Sequence, residues 1–208
     1  MAAGDISKGL LARVRVLLDE SVAAFWLDAD IYQSLNDGQN EAVKEIVNAW
    51  KQRQNVIFQE PLPEILSPVV TDSVISHGSA KTYALPSDYI HYVAIADPSG
   101  APILVRSQSL GKVTQKANTY TKAAVGADYC SIGSSIITEN TDSLSITLTY
   151  IKSPTDISTS VDPLFTNKSF LTAMVQYAFS DLLRKDYRLQ EALQEFQRFL
   201  QMVINLYV

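Results

Sequence analysis

The sequence predicts an α+β protein: a small helical bundle drawn from both chain ends, with an antiparallel β-rich module inserted between them. Three observations carry this. Apolar residues recur at spacings of three and four from residue 5 to 54, and again from Asn167 onward. Between those stretches the pattern changes to that of strands, clearest at Tyr89–Ala96 and Ser143–Ile151. Prolines mark both borders: Pro61, Pro63 and Pro68 on entry, Pro154 and Pro163 on exit, where no helix interior can continue. The expected division is residues 1–58 and 161–208 for the bundle and 59–160 for the inserted module. Neither terminal part can bury its stripe alone, so the two should pack on each other.

Residues 5–19 read as a first helix, with Asp5 as N-cap and Ile6, Leu10, Leu11, Val14, Leu17 and Leu18 as its apolar face. Phe25 and Trp26 are placed to pack ahead of the next helix as a staple. Residues 26–54 then read as one amphipathic helix, capped by Asp28, with Asp30 favourable in its first turn. Its stripe runs Ile31, Leu35, Gly38, Ala42, Ile46 and Trp50. Asn36-Asp37-Gly38 usually writes a turn. The stripe keeps its phase across this triplet, and a glycine can admit another helix closely, so the helix is expected to continue.

In the β region, Tyr89–Ala96 is apolar on both faces, Asp97-Pro98-Ser99-Gly100 is a turn, and Ile103-Leu104-Val105 should return as a hairpin partner. Residues 107–127 read as a long loop, and 128–138 as a second hairpin about Gly133-Ser134. Ser143–Ile151 alternates cleanly, as a half-buried antiparallel strand does. After the exit prolines, Thr166 or Asn167 can cap a helix bearing Phe170, Leu171, Met174, Val175, Ala178 and Leu182. A break at Arg184-Lys185-Asp186 precedes a last helix with Leu189, Leu193, Phe196, Leu200 and Val203.

Charge and composition narrow the function. A net charge of −5 does not suit a protein that grips nucleic acid by its phosphates, and the basic residues (Arg13, Arg15, Lys44, Lys51, Arg53, Arg184, Lys185, Arg188) are scattered over helix faces. The single cysteine, Cys130, excludes an intrachain disulfide and reads as a small core residue of a protein made in a reducing cytosol. Arg13 and Arg15 interrupt any signal-peptide core, and no window approaches the roughly 18 apolar residues of a membrane span. A soluble chain with no membrane partner is expected.

A search for chemistry comes back empty. His77 and His91 lack companions at metal-ligand spacing, and a helix start explains Asp28 and Asp30. There is no nucleophile elbow, no GxxxxGK[ST] and no GxGxxG. The sequence therefore assigns no catalytic, cofactor-binding or metal-binding residue, and a non-enzymatic role is expected.

Three segments together resemble the head-to-tail adaptor (connector) proteins of tailed bacteriophages. They are Leu10 to Trp50, with its Trp-Leu-Asp entry and Asn-Asp-Gly-Gln centre, Tyr83-Ala-Leu-Pro-Ser-Asp-Tyr89 with the later Leu148–Pro154 exit, and Phe170 to Phe199. The resemblance implies a structural virion protein at the head–tail interface. It would form a homo-oligomeric ring, typically of twelve copies, under the portal, contact portal and tail proteins, and let double-stranded DNA pass without specific binding. A tail-tube, stopper or nozzle subunit is the rival in the same setting; a carbohydrate- or receptor-binding module would need an aromatic platform, for which only Tyr120 and Tyr129 offer themselves. Within such a ring, Gln39, Lys51 and Arg53 are candidate subunit contacts. The apolar end Val203, Ile204, Asn205, Leu206, Tyr207 and Val208 is the candidate portal- or tail-binding segment, because no glycine caps it and its alternation suits addition to a sheet edge.

Overall fold

A computed structural model describes residues 4–20, 25–54, 61–76, 82–105, 129–133, 135–138 and 145–207. The expected loop at 107–127, together with His77 and Tyr120, lies outside the described residues. The fold is α+β, with helices at both ends and sheets between them. The helices are α1 (Asp5–Leu17), α2 (Asp28–Gln54), α3 (Lys168–Lys185) and α4 (Leu189–Tyr207), and a 3-10 helix spans Glu64–Val69. The strands are β1 (Val70–Ser76), β2 (Thr82–Ala84), β3 (Tyr89–Ala96), β4 (Leu104–Val105), β5 (Tyr129–Ile132), β6 (Ser135–Thr138) and β7 (Ser145–Lys152).

Two compact units emerge: Met1–Val69 with Ser153–Val208, and Val70–Lys152. The β unit is narrower than 59–160. The reason is burial: Leu66 and Val69 of the 3-10 helix, and Ile157 and Phe165 of the return segment, are buried core residues. Proline thus marks where helices stop, which is not where the helical unit stops.

In the helical unit, α3 is the helix against which α1, α2 and α4 all pack. Asn167 caps α3 as expected, its Oδ1 accepting from the N–H groups of Ser169 (2.9 Å) and Phe170 (3.1 Å). The break after Lys185 is real and is made by a left-handed Tyr187 (φ 59°). The Tyr187 N–H donates to Arg184 O (3.1 Å) and the Arg188 N–H to Leu183 O (3.0 Å), a Schellman closure. The same closure ends α1, with Asp19 (φ 58°) in the left-handed position and the Glu20 N–H on Arg15 O (2.9 Å). An L-residue at such a position costs about 1–2 kcal/mol. Tyr187→Gly is therefore expected to raise stability by about 1 kcal/mol in a denaturant titration, with an unchanged fold.

Neither expected aspartate N-cap forms, and at α1 a long-range residue takes its place. Asp5 is not the N-cap of α1; Gly4 is, with φ 83° and no side chain to offer. The Asp162 carboxylate supplies the cap, accepting from the N–H groups of Gly4 (3.0 Å) and Ser7 (2.9 Å). Asp28 begins α2 but does not cap it; its carboxylate pairs with Arg15, while Asp30 reaches back to the Leu27 N–H at 3.1 Å. Arg15 is accordingly buried, also meeting Glu20 and the Trp26 carbonyl, and is not on a solvated face.

The apolar faces also shift. Leu10 and Val14 of α1 are buried, whereas Leu17 and Val16 are exposed. In α4 the buried positions are Ala192, Phe199 and Val203, and the expected core leucines Leu189 and Leu193 stand out in solvent. A helix face about 100° wide admits only part of an apolar run, and the partner helix chooses which part.

In the β unit, β7 is the central strand of a three-stranded antiparallel sheet ordered β1-β7-β3. Its alternation holds, with Ile146, Leu148 and Tyr150 buried and Ser145, Thr147 and Thr149 partly exposed. The 89–96 run does not alternate because β3 shifts register twice against β7, between Tyr89 and His91 and between Tyr92 and Ala94. A second sheet runs β2-β6-β5-β4. The β5–β6 hairpin forms as expected. The hairpin expected after β3 does not continue: beyond the Ala96–Pro102 bridge the chain leaves its neighbour, and Leu104–Val105 pairs in parallel with Tyr129–Cys130. The Ile103 N–H, which donates to Ile95 O at 2.8 Å, makes the last rung of the pairing with β3. Tyr83, Ile95, Ile103, Cys130, Ile136, Ile146, Leu148 and Tyr150 form one buried cluster between these strands.

The Leu85-Pro86-Ser87-Asp88-Tyr89 entry gains a physical meaning here. Asp88 accepts a hydrogen bond from the Tyr150 hydroxyl at 2.9 Å, tying the entry to the exit strand. Burial, and then that carboxylate, push the Tyr150 phenol up to about 12. The folded pKa exceeds the ordinary value of 10.0, so this stability is complete below that value and is lost as pH rises toward about 12. Alkaline unfolding of the β unit is expected in that window, and Tyr150→Phe should flatten the loss when stability is followed by circular dichroism.

Candidate docking surfaces

The Asn36–Gln39 centre of α2 is a polar constellation turned largely onto the chain itself. The Asn36 Oδ1 accepts from the Ile157 N–H (2.8 Å) and its Nδ2 donates to the Ile157 carbonyl (3.2 Å). One side-chain amide thus satisfies both backbone groups of a buried residue, as a neighbouring strand would. Gln39 is fully buried and donates to the Thr155 carbonyl at 3.1 Å. This removes Gln39 from the candidate subunit contacts: its side chain is consumed in holding the return segment. Asp37 faces outward and accepts from Gln33 (3.0 Å). At Gly38 an added Cβ would lie 3.0 Å from the Tyr177 side chain and 3.1 Å from the Met174 carbonyl oxygen. The turn-like triplet stays helical with Asn36 taken up by Ile157, Asp37 by Gln33 of the same helix, and Gly38 packed against α3.

A second polar knot joins α2 to α3. The buried Asp181 carboxylate accepts from Ser34 Oγ (2.8 Å) and pairs with Lys185 (2.7 Å) and Arg184 (2.5 Å). Burial alone would raise its pKa, but these partners outweigh it and hold the carboxyl below its ordinary value. Arg184 and Lys185 are thereby tied to an internal acid. Arg188 pairs with Glu191 at the surface.

The C-terminal segment is the last turn of α4 through Tyr207 and not an extended strand; Val208 lies outside the described residues. Val203 is buried among the core, and the Arg53 guanidinium sits 4.8 Å from the centre of the Tyr207 ring. The N–H groups of this turn are used in helix hydrogen bonds, so its backbone does not present a strand to a sheet edge. Ile204 is 53% exposed. Leu206 and Tyr207 line an open cleft of about 570 Å³ together with Pro63, Ile65, Pro68 and Phe165. Lys51 and Arg53 are exposed on α2. The sequence missed Arg15, Asp162 and Asp181 as organising residues; their partners in space carry no local signature.

Among the described residues no group of His, Cys, Asp and Glu could hold a metal ion. His91 stacks near the Tyr92 ring (4.8 Å between centroids), and Cys130 is buried. No described helix is long and apolar enough to cross a membrane.

Polar residues thus turn inward onto their own backbone while several large apolar side chains stay exposed. Residues 7–206 match the SU10 adaptor protein family, and the chain belongs to it. It is thus a bacteriophage head-to-tail adaptor, a structural component of the virion. No curated protein matches the chain.

Proposed function

We propose that this adaptor assembles as a closed ring, of twelve copies in the usual case, beneath the portal. There it joins the head to the tail proteins and lets double-stranded DNA run through the ring. The observation that carries the reading is the family match across nearly the whole chain, residues 7–206. The electrostatics support free passage: the net charge is −5, and Arg15, Arg184, Lys185 and Arg188 are paired to the chain's own acids. The decisive experiment is the symmetry and position of the protein in virions by electron cryomicroscopy. A ring against the portal is expected; a ring or tube lying wholly within the tail would make it a tail-tube or stopper subunit instead.

The end of α4 is the proposed attachment surface, with exposed Ile204 beside the Leu206–Tyr207 cleft, and Lys51 and Arg53 are the remaining proposed polar contacts. Ile204→Asp is expected to leave the melting temperature nearly unchanged, since the side chain is already half in water, while virions lose their tails. Val203→Asp should instead unfold the helical unit, because it buries an unpaired charge. Normal tail attachment by a folded Ile204→Asp protein would remove this surface from the interface.

A further inference from the structure

Two faces of the helical unit carry exposed apolar side chains, and they are unlike each other. The first is a groove of about 250 Å³ between α3 and α4, floored by Tyr177, Ala192 and Phe196. Its rim is Leu189 and Leu193, 62% and 58% exposed. Tyr187, 89% exposed in its left-handed turn, follows the Arg184 end of the groove. The second is the outer ridge of α1, where Gly9, Ala12 and Val16 are exposed, Val16 by 79%. The ridge from Gly9 to Val16 and the groove wall from Leu189 to Phe196 each run two helical turns, about 10 Å.

Their charges are complementary. Lys8 and Arg13 are exposed on α1, and Arg13 donates to the neutral Thr172 hydroxyl (3.1 Å). Beside the groove lies α2, whose Gly38 abuts Tyr177, so that Asp37 and Glu41 flank that contact; Glu41 also has Lys44 at 3.9 Å. With Asp181, both acids act on Tyr177, whose phenol is raised first by burial and then by these charges. Arg184 opposes them but is drawn onto Asp181. We infer that the α1 ridge of one copy seats in the α3–α4 groove of the next, with Arg13 and Lys8 facing the α2 acids. The donor and acceptor faces differ, so the contact is heterologous: each added copy leaves one of each face open until the assembly closes. A two-fold pairing of α1 ridges would instead bring Arg13 against its own copy. This inference rests on the ring reading and names the surfaces that would build it.

The test uses virions, because the buried Cys130 is the chain's only cysteine. Virions carrying Val16→Cys and Leu193→Cys together are expected, on oxidation, to give a ladder of disulfide-linked oligomers on a non-reducing gel. Either substitution alone should give none. Dimers from a single substitution would overturn the inference in favour of two-fold pairing. So would the absence of any ladder in virions whose adaptor still forms a ring by cryomicroscopy. Absence of a ring in unmodified virions would be the failure of the ring reading itself. Independently, Arg13→Glu should deplete the adaptor from virions, and Glu41→Lys in the same chain should restore it, both proteins being folded by circular dichroism. Failure of the paired exchange to restore assembly counts against the docking.

Discussion

Gly38→Val is expected to destabilise the helical unit by about 3 kcal/mol, at the upper end of what overpacking usually costs. The first added carbon already stands 3.0 Å from Tyr177 and 3.1 Å from a carbonyl oxygen of α3, and the two branch methyls would lie closer still. The Tyr177 ring can rotate a little, but its Cβ, also 3.0 Å away, and the Met174 carbonyl are fixed to the α3 backbone and move only if α3 moves. Gly38→Ala separates the two effects. Alanine gains about 1 kcal/mol in helix propensity but already meets the Tyr177 and Met174 contacts, without the two further methyls, so its loss should be clearly smaller than that of valine. Urea titration followed at 222 nm checks both. An equal loss for the two substitutions would show that helix continuity, and not the approach of α3, is what Gly38 protects.

Asn36→Leu carries the second large effect. Its shape is close to that of asparagine, yet it leaves both the N–H and the C=O of buried Ile157 without their partner. Each orphaned buried group costs about 1–3 kcal/mol, so a loss of about 4 kcal/mol is expected. Asn36→Asp keeps the acceptor, loses the donor and adds a buried charge, and its loss should grow as pH rises through the carboxyl range. Amide exchange at Ile157 gives a local readout: protection there should fall before protection in the centre of α3 does. Unchanged protection at Ile157 would mean the segment is held by packing alone. Both substitutions lie in the Asn36–Gln39 centre that links the N-terminal and C-terminal parts of the chain, so both should also deplete the adaptor from virions.

The sequence by itself determined the element types and the family. The 3.6-residue stripe from Ile31 to Trp50 specified one helix through a turn-forming triplet, and the alternation ending at Ile151 specified the central strand β7. Asn167 announced its cap, and the charged triplet at Lys185 its break. These features depend on neighbours a few residues away, and periodicity records them. Tertiary structure alone decided the rest. It placed Asp162 on the start of α1, consumed Gln39 in a carbonyl bond, buried Arg15 and left Leu189 and Leu193 in solvent. It kept the end of α4 helical and seated Val203 in the core, where the residue types alone allowed a free tail. In each case the deciding partner lies far along the chain: Asp162 is 155 residues from Ser7 and Thr155 is 116 from Gln39. A polar side chain has the same composition whether it faces water or a distant carbonyl, and a leucine has the same hydrophobicity whether or not a helix arrives to cover it. Only packing, which removes water from some of these groups and supplies partners to others, separates the two.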